Sequence, residues 1–181
     1  MKVTIPYTPR KQQAFIHKEL DKHRFSVLCC HRRFGKTVML INHLIKCCMM
    51  NKNHQPRFAY IAPTYSQAKK IAWDYLKFYT KGLPNTKYNE TELRCDFFNG
   101  SRITLLSSEN PDSIRGIYLD GVVCDEASQI SRELIDEVIR PAIADRKGWM
   151  SLCSTPKGMN NIFYDMYLKA QQEKDWFLYK A

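Results

Sequence analysis

Two short stretches of this chain carry side chains whose types and spacing suit phosphate chemistry. The first is Cys30-His31-Arg32-Arg33-Phe34-Gly35-Lys36-Thr37, which lies between an apolar run from Phe25 and a second, helix-length apolar run ending near Met50. A turn between a strand and a helix presents backbone N–H groups to an anion, and the helix N-terminus adds its own attraction. In a Walker A loop the lysine, here Lys36, reaches the β/γ oxygens, and the hydroxyl, here Thr37, ligates Mg²⁺. Cys30 occupies the position where that pattern has its first glycine. Gly-Lys-Thr also occurs by chance, and an ordinary surface loop is the competing reading. The adjacent Arg32 and Arg33 favour an anion, because clustered guanidinium groups repel one another unless something negative sits against them.

The second stretch is Gly121-Val122-Val123-Cys124-Asp125-Glu126-Ala127, an apolar strand ending in two carboxylates. In a Walker B arrangement Asp125 holds Mg²⁺, directly or through water, and Glu126 polarises the attacking water. Adjacent acids are common on surfaces. Their place at the end of a buried-type strand, downstream of a phosphate loop, is what gives them weight. Ser154 and Thr155 end another strand and could sense a γ-phosphate; a polar turn is the plain alternative. Tyr7, Pro9 and Gln12 precede the first strand, where a ring and an amide could contact adenine, and a helix start with surface glutamines fits equally well.

These residues need elements to place them. An amphipathic helix is expected within residues 5–24. Arg57 to Pro63 reads as a strand, and Thr64 and Gln67 form a capping box. Ala68, Ile71, Ala72, Tyr75, Leu76 and Tyr79 then follow at helical spacing as one buried face, a structural helix with no chemistry assigned. Residues 91–107 read as a hairpin. A two-residue Asn99-Gly100 turn would mix polar and apolar residues on both faces. A three-residue loop, Phe98-Asn99-Gly100, pairs Phe97 with Ser101, Cys95 with Ile103 and Leu93 with Leu105, and needs Gly100 left-handed. The second register is expected. Ser131 caps a helix carrying Leu134, Ile135, Val138 and Ile139, which Pro141 is expected to end. Strands at Trp149 to Cys153 and Trp176 to Lys180 flank a helix near 160–173. Alternating strands and helices imply a mainly parallel sheet with the chemistry at the C-terminal ends of its strands.

The chain has 181 residues, 44% hydrophobic and 25% charged, as expected for one soluble domain with a substantial core. No apolar run reaches membrane-spanning length without polar interruption, and the N-terminus lacks a signal peptide's layout, so no membrane partner is expected. The seven cysteines show no C-x-x-C spacing and read as reduced core thiols of a cytosolic protein. The formal charge of +10 suits a nucleic-acid partner, or a fragment whose acidic half lies elsewhere; its basic residues are too dispersed to mark a groove.

Taken in order, CHRRFGKT, IAPTYSQA, FNGSRI, SIRG, VVCDEAS and STPKG resemble the ATPase domain of tailed-phage terminase large subunits, from about Tyr7 to Gly158. The resemblance implies a P-loop NTPase of the ASCE (RecA-like) type with a hairpin insertion near 91–107. It implies Mg²⁺-dependent ATP hydrolysis that drives viral double-stranded DNA into the procapsid. Residue by residue, it makes Arg32 the Walker A arginine on the γ-phosphate, and Lys36 and Thr37 the phosphate and Mg²⁺ ligands. Asp125 and Glu126 become the Walker B acid and catalytic glutamate, and Ser154 and Thr155 the coupling motif. Arg115 matches a position that in some members is an arginine finger reaching a neighbouring subunit's ATP. Gln12 is the candidate adenine contact, with Gln13 beside it. The implied partners are the portal protein, the small terminase subunit and further copies in a pentameric ring on the portal. The implied location is the infected cell's cytoplasm, transiently docked on the procapsid. Family members usually continue into a nuclease domain, so residues 1–181 are expected to be an ATPase domain that neither cuts nor unwinds DNA.

Two other readings compete. Asp125-Glu126-Ala127-Ser128 resembles the DEAD-type box of a superfamily 2 helicase, which would need a second motor domain. A nucleotide-binding adaptor without hydrolysis would have no use for Glu126.

Overall fold

The computed structural model describes residues 4–181. In chain order the regular elements are α1 (Lys11–Leu20), β1 (Phe25–Cys29), α2 (Lys36–Met50), β2 (Arg57–Ala62), α3 (Tyr65–Gln67) and α4 (Trp73–Thr80). There follow β3 (Lys87–Asn89), β4 (Arg94–Asp96), β5 (Arg102–Ser107), β6 (Gly121–Asp125), α5 (Arg140–Ala144), β7 (Trp149–Ser154), α6 (Ile162–Gln172) and β8 (Trp176–Lys180). The strands form one sheet in the order β3-β4-β5-β2-β6-β7-β1-β8. From β5 to β8 every pairing is parallel; only β3–β4 and β4–β5 are antiparallel. All the parallel strands therefore end on the same edge. Strand β7 separates β1, which leads into the phosphate loop, from β6, which ends in the acidic pair.

A parallel sheet needs cover on both faces, and two apolar clusters supply it. One packs α1, α2 and α4 against Leu28, Phe58, Tyr60 and Val123; the other packs α5 and α6 against Val27, Ile61, Val122 and Leu152. Helix α2 runs through the first, with Met39, Leu40, Ile41, Leu44 and Ile45 fully buried. Burying each such side chain stabilises the fold by roughly 1.5–3 kcal/mol, which anchors the helix whose N-terminus carries Lys36 and Thr37. Helix α1 docks on α2 partly through His17 and His43, whose Nδ1 atoms lie 3.1 Å apart. Burial lowers both, His17 to about 4 and His43 to about 3, so near neutral pH the pair is uncharged, one ring donating to the other.

The hairpin has the three-residue loop. Cys95 pairs with Ile103, the Phe97 amide donates to the Ser101 carbonyl and the Leu105 amide to the Leu93 carbonyl. Leu93, Cys95, Phe97, Ile103 and Leu105 are all buried on one face, and Gly100 has φ +80°. The hairpin is more than an insertion, because β5 is an integral strand paired in parallel with β2. A Cβ at Gly100 would meet nothing within 4 Å, so Gly100→Ala should cost only the left-handed strain, about 1–2 kcal/mol. Urea unfolding should show that loss in the midpoint with an unchanged slope.

Two expectations are corrected. Ile71 and Tyr75 are exposed, whereas Trp73 is buried with Ala68, Ala72 and Leu76. The cause is a π-helical stretch, Ala68–Ala72, which widens the turn and rotates the following residues out of simple helical phase. Pro141 does not end its helix either. A second π-helical stretch, Leu134–Ile139, precedes it, and the helix continues through α5 to Ala144. The wider turn accommodates the ring that would otherwise clash with the carbonyl four residues back. Ser131 does cap this helix, its Oγ accepting the Leu134 amide at 3.2 Å.

Candidate nucleotide site

The phosphate loop leaves β1 at Cys30, whose buried amide donates to the Ser154 carbonyl across to β7. Cys30 and Phe34 are buried in the core, and with the Cys30 amide engaged at Ser154, Cys30 has neither side chain nor amide to offer an anion. His31, Arg32 and Arg33 are exposed. Arg33 and Gly35 have positive φ, +64° and +85°, which curls the loop before α2 begins. Gly35 has a second constraint, since a Cβ there would lie 2.9 Å from Gln13 Nε2.

That contact identifies the glutamine on the loop. Gln13, 4% exposed, donates to the Phe34 carbonyl at 3.2 Å and accepts the Arg10 amide at 3.0 Å. Gln12 is exposed. Tyr7 donates or accepts at His17 Nε2 (2.9 Å) and packs edge-on against Tyr79. Neither Gln12 nor Tyr7 is among the residues that line the cleft described below. Helical phase separates the two glutamines: with Arg10 as N-cap, the third helical position, Gln13, folds back so that its Oε1 accepts the Arg10 amide.

At the C-terminal edge of the sheet a cleft of about 610 Å³ is lined by His31, Arg32, Thr37, Asp125, Glu126 and Thr155, among others. Thr37, at the start of α2, donates to Asp125 Oδ2 at 2.9 Å. The same oxygen accepts the Tyr60 hydroxyl, and Asp125 Oδ1 accepts the Glu126 amide. Lys36 Nζ lies 3.4 Å from the His31 carbonyl and 3.9 Å from Glu126 Oε1. Glu126 has φ +48°, a strained backbone at a non-glycine position of the kind found where geometry matters more than local stability. Burial, and then the Asp125 charge, raise its carboxyl above the usual glutamate range, with Lys36 acting in the opposite direction. Hydroxyl and carboxylate oxygens held this close are the hard donor set Mg²⁺ takes, using few protein ligands and keeping waters. Thr37 and Asp125 thus fit that ion.

Ser154 is buried and donates to Ser128 Oγ at 2.8 Å, tying the end of β7 to the segment after Glu126. Thr155 lines the cleft. Arg115 does not: it is half-exposed, with Nε 3.2 Å from Asp112 and a second nitrogen 3.8 Å from Glu133. Tyr60, Gln67, Ile71, Gln129 and Lys157 also line the cleft, although the sequence pattern assigns none of them to the site. The helix following β2, read as purely structural, thus supplies two wall residues. Capping chemistry showed where that helix starts, but only the β2–β6 pairing places it beside Asp125.

A phosphate loop after β1, an acidic pair after β6 and one strand between them define a P-loop NTPase of the ASCE type. The chain belongs to the terminase large subunit family: the model for the T4likevirus-type N-terminal region matches residues 31–180. The large terminase subunit of Thermus phage G20c is 29% identical over 181 residues, covering 90% of this chain and 36% of that protein. That of Escherichia phage T5 is 29% identical over 167 residues, covering 88% and 37%. The chain thus spans little more than a third of the length of these relatives. Among solved structures, the ATPase domain of the Thermus phage P74-26 large terminase superposes with a TM-score of 0.81 at 25% identity, covering 98% of this chain and 82% of that one. The large terminase of a thermophilic bacteriophage, solved in complex with ADP, gives 0.79 at 18% identity, over 94% of this chain and 44% of that one, and supports the fold alone.

Proposed function

We propose that this chain is the ATPase unit of a DNA-packaging motor, hydrolysing ATP to move viral double-stranded DNA into a procapsid. The observation that carries this reading is the convergence of Thr37, Asp125 and Glu126 on one cleft from α2 and β6, with Lys36 Nζ 3.9 Å from Glu126 Oε1. Backbone amides of residues 31–37 and the α2 N-terminus bind the phosphates, Lys36 neutralises β/γ oxygens, and Arg32 faces the γ-phosphate from the cleft wall. Thr37 and Asp125 would hold Mg²⁺, which when bound would supply charge neutralisation at the phosphates. Glu126 orients and deprotonates the attacking water, a task favoured by a carboxyl raised toward neutral pH. Ser154, bonded to Ser128, passes a change at the acidic pair into β7. Of the two glutamines offered for adenine, Gln13 stands beside the loop, bonded to the Phe34 carbonyl.

Family membership supports the wider setting: a homo-oligomeric ring, pentameric on the portal protein, served by a small terminase subunit in the host cytoplasm. Among the described residues no helix is long and apolar enough to cross a membrane. The experiment is phosphate release by the purified protein with Mg²⁺·ATP, alone and with double-stranded DNA and procapsids. Stimulation by both together is the expected result. ATP-driven strand separation would instead favour the helicase reading, and binding without any turnover the adaptor.

A further inference from the structure

The strand register brings one more side chain to the acidic pair. Tyr60 on β2 pairs with Val123 on β6, so Asp125, two residues further along β6, projects from the same face at the diagonal position. A diagonal neighbour roughly 7–8 Å away is out of reach for most side chains but within reach of a tyrosine. Tyr60 is 3% exposed, and its hydroxyl donates to Asp125 Oδ2 at 2.5 Å. With Thr37 on the same oxygen and the Glu126 amide on Oδ1, the plane of the carboxylate is set by three donors.

The three are not equivalent. Thr37 is itself the hydroxyl that fits a metal ion, and the Glu126 amide belongs to a strained turn. Tyr60 alone is held in the core, among Phe58, Ala62 and Val123, on a strand that carries no other polar group of the site. The plain alternative is a core tyrosine whose hydroxyl merely found the nearest acceptor. That role would also be met by any acceptor off the metal site, whereas the register leaves Tyr60 facing the one carboxylate that fits Mg²⁺.

We propose that Tyr60 is a positioning residue for the metal site, holding the Asp125 carboxylate in the orientation that presents its free lone pairs beside Thr37. This rests on reading the cleft as a nucleotide site. Partners that orient a metal ligand from behind typically contribute about 10–100-fold to metal affinity.

The test is Tyr60→Phe, which keeps the ring and removes the hydroxyl. Mn²⁺, whose free form is visible by electron paramagnetic resonance, is titrated into protein with ADP, and ADP binding is measured separately in EDTA. Ile61→Val, on the opposite face of β2, controls for general loss of packing. Tyr60→Phe should weaken Mn²⁺ in the ternary complex by about 10–100-fold and leave metal-free ADP affinity within about twofold. Ile61→Val should change neither. Wild-type Mn²⁺ affinity in Tyr60→Phe overturns the proposal, as does an equal loss of metal and metal-free nucleotide binding, which would mark a structural role. Wild-type protein that binds no ADP under either condition overturns the nucleotide reading itself.

Discussion

Replacing Glu126 by glutamine should reduce ATP turnover by roughly 10²–10⁴-fold, the usual worth of a positioned general base, while ATP still binds. The amide occupies the same volume at the end of β6 and keeps its distance from Lys36, but cannot take a proton from water. Phosphate-release kinetics and equilibrium ATP binding on the same preparation separate the two effects. Normal turnover would remove Glu126 from the base role. The wild-type pH profile carries the same information. Burial beside Asp125 raises the Glu126 carboxyl, so more of it is protonated at any given mildly acidic pH. The active carboxylate form is therefore lost earlier as pH falls, and the acid limb of turnover should lie above the ordinary glutamate range. Glu126→Gln should lack that limb in whatever activity remains.

An Arg115→Ala ring should lose on the order of 10³–10⁵ in rate, the measured range for arginine fingers, while ATP affinity and monomer activity stay nearly unchanged. Arg115 does not line its own chain's cleft, so the finger role proposed for it would be on a neighbouring copy's ATP. Its present partners, Asp112 and Glu133, are largely exposed, and such surface ion pairs contribute ~1 kcal/mol or less. Releasing the guanidinium at a subunit interface is therefore inexpensive. Arg32, by contrast, lines the cleft of its own chain, where it would act in cis. Mixed rings of Arg115→Ala and Glu126→Gln subunits should regain activity at interfaces joining an intact finger to an intact base. Mixtures no more active than either parent would reject the trans role.

The parts legible in the sequence were those fixed by local pattern. A strand, a polar turn with Lys36 and Thr37, and a helix follow from the apolar runs on either side of that turn. The hairpin register followed from alternation of Leu93, Cys95 and Phe97, since a one-residue slip would have turned them to solvent. The misses have two physical origins. Ile71, Tyr75 and Pro141 escape a periodicity argument because π-helical turns break the 3.6-residue phase. Tyr60, Gln67, Gln129 and Lys157 were passed over because their relation to Asp125 and Glu126 exists only once the strands have paired. Gln13 lies between these cases: the capping geometry that turns it inward is local, but the Phe34 carbonyl that it meets is not.

The central claim is that the cleft between α2 and β6 holds ATP through Lys36. The most direct measurement is calorimetric titration of ATP into Glu126→Gln protein, with Lys36 intact or replaced by alanine. Removing a buried cation from a phosphate contact should lower affinity by at least about 10-fold, from ~1.5–3 kcal/mol for a charge-assisted hydrogen bond, with the melting temperature little changed. One-site binding with intact Lys36 that is weakened to this extent in Lys36→Ala is the predicted result. Equal binding by the two proteins would contradict the account.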